Sequence, residues 1–348
     1  MTAEKGTMMR AVLLPGDKRV VVTDLPTPQP KGDEVLVRTA ASAICRSDMS
    51  IYYGNPIVGA GSDEQLVPGH EAAGEVVAVG PHVTGVKVGD RVAGYLAIAG
   101  ANSRYSAMGL PMLDPDWKCF GFDVHGGDAE YFVLPERNCL PLPDEISYPA
   151  GAVLTDMVGT QYSTQKRLGV SGRHTVAVVG LGPMGAAAVL VAKAFGARVI
   201  AVDVLPSRLD QARSLGADAT VDSAQEDARA RLAELTDGNG PDIVIECSGN
   251  PAGQNLALDA AARLGSVAFV GESRATEIKP SDQIIRKLLT VIGGWYFARG
   301  EWDELVRFVI ERKVPVEDLI SHTFTIEDAE EAFAMFDRRE TDKAVFVW

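Results

Sequence analysis

The stretch His174–Asp203, HTVAVVGLGPMGAAAVLVAKAFGARVIAVD, constrains the fold more than any other part of this 348-residue chain. It reads as an apolar run, the glycines Gly180, Gly182 and Gly185, an alanine-rich segment, and a second apolar run that ends on an acid. Length and hydropathy alone would allow a membrane span. Glycines and a proline at its centre, with Lys193 and Arg198 towards its end, predict instead a buried strand, a tight turn, a packed helix and a second strand. The same rhythm continues through ADATVD, DIVIECSG, GSVAFVG and LTVIGG, short apolar runs separated by helical segments such as PSRLDQARSLG. Six strands alternating with helices predict an α/β domain, a Rossmann doubly wound parallel sheet with helices on both faces.

In a strand–turn–helix of this kind each glycine has a separate task. The first makes the turn, the second lets a diphosphate approach the backbone, and the third lets the helix pack closely on the strand. The helix N-terminus adds unpaired N–H groups and partial positive charge. Asp203, 18 residues after Gly185, is placed to accept hydrogen bonds from adenosine ribose hydroxyls and to repel a 2′-phosphate, which favours NAD over NADP. A solvated strand-end carboxylate is the alternative. The candidate cofactor set is Gly180, Gly182, Pro183, Met184, Gly185, Asp203 and Arg208.

From about Met9 to Pro143 the rhythm differs. RAVLLPG, RVVVTDL, EVLVRTAASAI, AAGEVVAVG, RVAGYL and AEYFVLP are short β-type runs broken by glycine and proline, a mainly antiparallel, barrel-like pattern with long loops. After about Phe297, helices at EWDELVRFVIERK and IEDAEEAFAMFDRR precede a last strand, KAVFVW. The expected division is a first domain over residues 1–157, the Rossmann domain over 158–298, and a return segment, 299–348, that completes the first.

Lys and Arg number 33 against 47 Asp and Glu, a formal charge of −14 that argues against nucleic acid or an anionic membrane as a partner held by bulk charge. The N-terminal stretch has no apolar run of signal-peptide length, so a cytoplasmic protein is expected. Cys45, Cys119, Cys139 and Cys247 are scattered without C-x-x-C spacing, which argues against a disulfide framework or a cysteine-rich zinc knot. Isolated cysteines are most often small core residues, and Cys139 and Cys247 are read that way.

Cys45 differs by its context. SAICRSDMS, VPGHEAAGEVVAVG, VGDRVAG, GGDAEYFVLP and the glycine loop, in that order, resemble the zinc-dependent alcohol dehydrogenases of the medium-chain dehydrogenase/reductase family, from about Met9 to Val347. The resemblance implies a GroES-like, mainly antiparallel β catalytic domain beside the Rossmann domain. It implies a catalytic zinc held by Cys45, His70 and, at the junction GAVLTDMVGTQYS, Asp156, where many relatives carry cysteine or glutamate. Three protein ligands and an open position is the pattern of a catalytic zinc. Taken alone, Asp156 also reads as a helix N-cap. Glu71 is either a fourth, exchangeable ligand or stands behind the ligands, and both roles stay open.

Ser47 matches the family's relay hydroxyl, which would pass the substrate proton to the nicotinamide ribose, and joins Cys45, His70 and Asp156 as a catalytic candidate. Ser50 stands where relatives often end the relay with histidine, and Arg46 is either a pyrophosphate contact or a surface arginine. Many relatives hold a second, structural zinc on four cysteines spaced C-x2-C-x2-C-x7-C. Counting back from Cys119 lands on Pro111, Met108 and Tyr105, so one zinc per chain is expected, with the lobe held by packing around Tyr105, Met108 and Trp117.

The implied activity is hydride transfer between NAD(H) and an alcohol/carbonyl pair, a secondary alcohol or polyol. The loop between Asp48 and His70 offers Tyr52, Tyr53 and Asn55 to the pocket, with Trp295 from the cofactor domain, and these are either substrate contacts or ordinary loop residues. A zinc-free enone or quinone reductase of the same superfamily would lack the Cys45–His70 pair. A non-catalytic dinucleotide-binding protein would leave Cys45, Ser47, His70 and Asp156 without a purpose. Relatives join through the last sheet strand, here near LLTVIGGWYF, so a homodimer or homotetramer is expected.

Overall fold

The computed structural model describes residues 7–55, 65–100 and 102–348. The chain divides into two compact units. Met1–Asp156, Ala298–Asp303 and Val316–Trp348 make up the first, and Met157–Phe297 with Glu304–Pro315 the second.

The second unit is built on six parallel strands, Thr175–Val179, Arg198–Asp203, Ala219–Asp222, Ile243–Glu246, Ser266–Phe269 and Thr290–Gly293. Their spatial order is third, second, first, fourth, fifth, sixth. Val176, Ile200, Val244 and Val267 are fully buried, as expected of a parallel sheet covered on both faces. The strand order reverses beside Thr175–Val179, the switch point where such sheets bind ligands. Gly180 follows that strand at φ 84°, a left-handed conformation that glycine adopts without steric cost. The helix Pro183–Ala194 then starts with Gly182 as its N-cap and Pro183 in its first turn.

Residues 304–315 depart from the expected division, which put them in the return segment of the first domain. The helix Trp302–Arg312 carries Phe308, whose ring meets Tyr162 at 5.1 Å and Phe195 at 4.7 Å between centroids. Glu304 accepts hydrogen bonds from Tyr162 Oη at 2.6 Å and Lys166 Nζ at 2.6 Å. An aromatic cluster and two charge-assisted bonds thus anchor most of this helix in the second unit.

The first unit contains a seven-stranded sheet. Along it lie Ile320–Phe324, Lys343–Val347, Glu34–Ala43, Glu71–Val79, Arg91–Gly94 and Cys139–Pro141, with Tyr131–Pro135 paired to the first half of Glu34–Ala43. All pairs are antiparallel except Ile320–Phe324 with Lys343–Val347. Met8–Gly16 and Arg19–Pro26 form a separate hairpin, and its Val12 and Leu14 pack with Ile44, Met49, Tyr52, Phe333 and Phe346 in one core cluster. Register then decides the chemistry. Ala43 is opposite Glu71 on one side and Val345 on the other, so the end of one strand lies between the starts of two others. Cys45, His70, Glu71 and Lys343 are thereby delivered to one end of the sheet.

In the lobe before Cys119 the packing differs from the expectation. Met112 is the buried methionine, whereas Met108, at the end of the short helix Arg104–Ala107, is 58% exposed. Tyr105 and Trp117 are half-buried. No helix among the described residues is long and apolar enough to cross a membrane.

The two glycines around the second unit's turn are expected to respond differently to alanine. A Cβ on Gly185 would overlap the Gly180 carbonyl oxygen, whereas one on Gly182 meets nothing within 4 Å. Overpacking of this kind costs about 1–3 kcal/mol. Thermal denaturation should therefore show a Tm lowered by several degrees for Gly185→Ala and an unchanged Tm for Gly182→Ala; equal behaviour would contradict the packing described.

Candidate metal centre and dinucleotide site

Cys45, His70, Glu71 and Asp156 each direct one donor atom to a common point, and these atoms all lie within 4.8 Å of one another. His70 Nε2 is 3.3 Å from Asp156 Oδ2 and 4.0 Å from Glu71 Oε1, and Cys45 Sγ is 3.9 Å from Asp156 Oδ2. The expected zinc distances of such donors put neighbouring ligands of a tetrahedral ion about 3.3–3.6 Å apart; the His70–Asp156 pair meets that spacing, and the Cys45–Asp156 and His70–Glu71 pairs exceed it by a few tenths of an ångström. One thiol, one imidazole and two carboxylates are donor types that suit zinc. His70 and Glu71 are buried, and Cys45 and Asp156 keep partial exposure.

Asp48 ties two of these groups together. Its Oδ1 is 3.0 Å from His70 Nδ1, and its Oδ2 accepts the Cys45 backbone N–H at 2.8 Å. With Nδ1–H donating to Asp48, the lone pair of the imidazole sits on Nε2, facing the other donors. A carboxylate behind a histidine is the usual second partner of a metal ligand. Burial opposes protonation of His70, yet Asp48 and Cys45 outweigh it and raise its pKa well above the usual imidazole value. The pocket thus attracts positive charge.

Asp156 does not cap a helix, the alternative its sequence context allows. It lies within a π-helical turn, Leu154–Val158, inserted between the helices Tyr148–Val153 and Gly159–Arg167. Such turns carry an extra residue and often mark functional sites. The buried Thr155 donates to Ala152 O at 2.6 Å on the same turn.

Glu71 accepts a hydrogen bond from Lys343 Nζ at 2.5 Å, and both side chains are buried. Its Oε2 has no hydrogen-bond partner among the described residues. Burial pushes this carboxyl up to about 7 in spite of Lys343. Lys343 escaped the sequence reading. Its signal is a lysine opening the otherwise apolar run KAVFVW, and fully buried lysines need a partner.

Ser47 Oγ donates to Cys45 Sγ at 3.2 Å and is 3.4 Å from His70 Nε2, which places the expected relay hydroxyl among the donors. Ser50 Oγ donates to Ser47 O at 2.7 Å. The Phe122 ring packs on His70 at 5.2 Å between centroids. Tyr52 and Tyr53 are engaged elsewhere. Tyr52 is buried against Phe333 at 5.9 Å, and Tyr53 Oη donates to Asp337. Asn55 is exposed, Trp295 is 48% exposed, and residues 56–64 of the same loop lie outside the described residues.

In the second unit the glycine loop has the form expected of a dinucleotide site. Asp203 Oδ2 accepts Leu181 N–H at 2.6 Å, and Oδ1 accepts the N–H groups of Val204 at 2.7 Å and Leu205 at 2.9 Å. Arg208, largely buried, donates from Nη1 to Leu181 O at 3.2 Å. The acid and the base thus grip opposite ends of Leu181, between the first two glycines. The open space before Gly182 leaves the helix N-terminus accessible to a diphosphate. Cys247 lies just past the strand Ile243–Glu246 rather than within it, where Gln161 Nε2 donates to its sulfur at 3.4 Å.

A mixed thiol, imidazole and carboxylate donor set in one unit and a dinucleotide-binding sheet in the other define a metal-dependent, nicotinamide-linked oxidoreductase. Residues 31–144 match the model of the alcohol dehydrogenase GroES-like domain, and residues 183–311 that of the zinc-binding dehydrogenases. The zinc-type alcohol dehydrogenase-like protein YphC of Escherichia coli is 34% identical over 97% of this chain and 98% of its own length. L-threonine 3-dehydrogenase of Pyrococcus abyssi is 33% identical over 94% of each chain. The solved alcohol dehydrogenase of Thermus sp. ATN1 superposes with a TM-score of 0.90 at 29% identity, covering 97% of this chain and 99% of its own. The chain belongs to the zinc-dependent alcohol dehydrogenases of the medium-chain dehydrogenase/reductase family, and it is an oxidoreductase acting on CH–OH groups.

The four thiols are expected to react unequally. Burial pushes Cys119 and Cys139 up to about 12 and raises Cys247 as well, which makes thiolates scarce at pH 8. A disulfide reagent added to native, zinc-free protein should modify one thiol rapidly, Cys45, and added zinc should protect it. Two or more fast thiols, or no protection, would contradict the site.

Proposed function

We propose that this protein interconverts a secondary alcohol or polyol and its ketone with NAD(H), using one zinc per chain held by Cys45, His70 and Asp156. The observation that carries the reading is the convergence of four donor atoms within 4.8 Å, one of them backed by Asp48. When bound, zinc would act as a Lewis acid on the substrate oxygen while nicotinamide exchanges hydride with the substrate carbon.

The chain's own groups have distinct tasks. Asp48 holds His70 in the tautomer that turns Nε2 inwards and fixes the Cys45 backbone in the same step. Lys343 occupies Glu71 Oε1, so Glu71 is a reserve ligand, available when a neighbour leaves. Ser47 Oγ takes the substrate proton and passes it outwards. The loop from Gly180 to Gly185 and the following helix N-terminus hold the diphosphate, and Asp203 with Arg208 keeps Leu181 in place while Asp203 disfavours a 2′-phosphate.

Cys119 has no cysteine at the other positions of the family's second site, which supports a single zinc. The secondary-alcohol reading draws on the threonine 3-dehydrogenase relative, named for the position of a secondary hydroxyl. We also propose a homodimer or homotetramer joined at Thr290–Gly293, the outer strand of its sheet, with Trp295 exposed nearby.

The test is NADH formation with a panel of secondary alcohols and polyols. Activity should disappear when zinc is chelated and return when zinc is restored, and Ser47→Ala should lower kcat by about 10², the scale of general acid–base assistance, without loss of zinc. Activity that survives complete zinc removal, or zinc-loaded protein inert to every alcohol, would overturn the proposal.

A further inference from the structure

One buried acid has no part in the chemistry above. Asp128 is fully buried, and its carboxyl fills the space that a side chain on Gly69 would need. Ser42 Oγ donates to Asp128 Oδ1 at 2.6 Å, while Oδ2 has no hydrogen-bond partner among the described residues. The residues before it lie along the segment that leads into His70. Gly126 N–H donates to Val67 O at 2.7 Å, Gly127 N–H to Gly69 O at 2.7 Å and Asp128 N–H to Pro68 O at 3.0 Å.

These bonds make 126–128 a strap across 67–69. The strap is itself held from behind, because Val12 N–H donates to Asp128 O at 2.9 Å. Contact is too close for a side chain at Gly69, Gly126 or Gly127. A Cβ on Gly126 would overlap the carbonyl oxygens of Pro68 and Gly69, and one on Gly127 would overlap Ala72 Cβ. Gly69 adopts φ 90°, the turn that aims the next two residues, His70 and Glu71, towards the other donors. Burying a carboxyl with one oxygen unpartnered costs free energy, which the packing and the Ser42 bond must offset.

We propose that Asp128 is a positioning residue for the metal centre, locking the Gly69 turn through its bond to Ser42 so that His70 and Glu71 stay aimed at the ion. The carboxyl touches neither substrate nor cofactor. It acts as a shaped block between the strand carrying Ser42 and the turn carrying His70.

This inference rests on the metal assignment, and one experiment separates the two. Zinc affinity of the full-length protein is measured by competition with a chromophoric chelator, alongside the visible spectrum of the cobalt-substituted form, at a temperature where the zinc-free proteins are folded. Wild-type protein should bind zinc. Asp128→Ala should weaken zinc about 10- to 100-fold, the scale for partners that orient metal ligands, and shift the cobalt bands. Asp128→Asn, which keeps the shape and an oxygen for Ser42, should restore affinity and spectrum. If Asp128→Ala fails to fold, Ser42→Ala carries the test, with several-fold weaker zinc expected. Wild-type affinity in Asp128→Ala or in Ser42→Ala, or equal loss in Asp128→Asn and Asp128→Ala, would overturn the role of Asp128. Wild-type protein that binds no zinc would overturn the metal assignment, and the role of Asp128 with it.

Discussion

Charge buried at one end of a β-sheet is the condition the rest of the first unit must satisfy. Asp48 and Glu71 are fully buried, Asp156 is close by, and their cationic neighbours are His70 and Lys343. Removing ions from water costs several kcal/mol each, even after relaxation, unless partners replace the lost hydration. Here the replacement is specific. Asp48 is shared between an imidazole and a backbone amide, Lys343 is committed to Glu71, and the second oxygen of Glu71 has no hydrogen-bond partner among the described residues. A divalent ion held by the donor cluster would supply the missing positive charge.

Placement follows from topology. An antiparallel pair brings the end of Glu34–Ala43 beside the start of Glu71–Val79, and the last strand of the chain adds Lys343 from the other side. Backbone hydrogen bonding therefore fixes the spacing of Cys45, Glu71 and Lys343 before any side chain is chosen. Asp156 arrives differently, through a π-helical turn that breaks the helical phase at the point where an inward acid is needed. In the second unit the same economy appears at Leu181, whose N–H and C=O are held by Asp203 and Arg208. Residues suited to a nucleotide also keep its loop in shape.

Much of this was legible in the sequence. The glycine spacing and the alternation of apolar runs gave the parallel sheet, because both depend on local periodicity. Cys45, His70 and Asp156 were legible through motif order, although 25 and 86 residues separate them along the chain. Lys343 and Asp128 were not, since each owes its role to a partner more than 80 residues away and to burial, which periodicity does not report. Tyr52 and Tyr53 misled for a related reason. Tyrosines beside a metal motif read as pocket residues, but Phe333 and Asp337, both on the helix Ala329–Asp337, claim them. Residues 304–315 were read into the return segment because the helix Trp302–Arg312 looks alike in sequence whichever unit it packs against.

The central claim is that one zinc is held by one sulfur and by nitrogen or oxygen donors from His70 and Asp156. X-ray absorption at the zinc edge, on protein purified without chelator, tests it directly. The expected first shell contains a single sulfur at about 2.3 Å and the remaining ligands at about 2.0–2.2 Å, with the sulfur lost in Cys45→Ser. A zinc-free protein, or a shell of several sulfurs, would contradict the account.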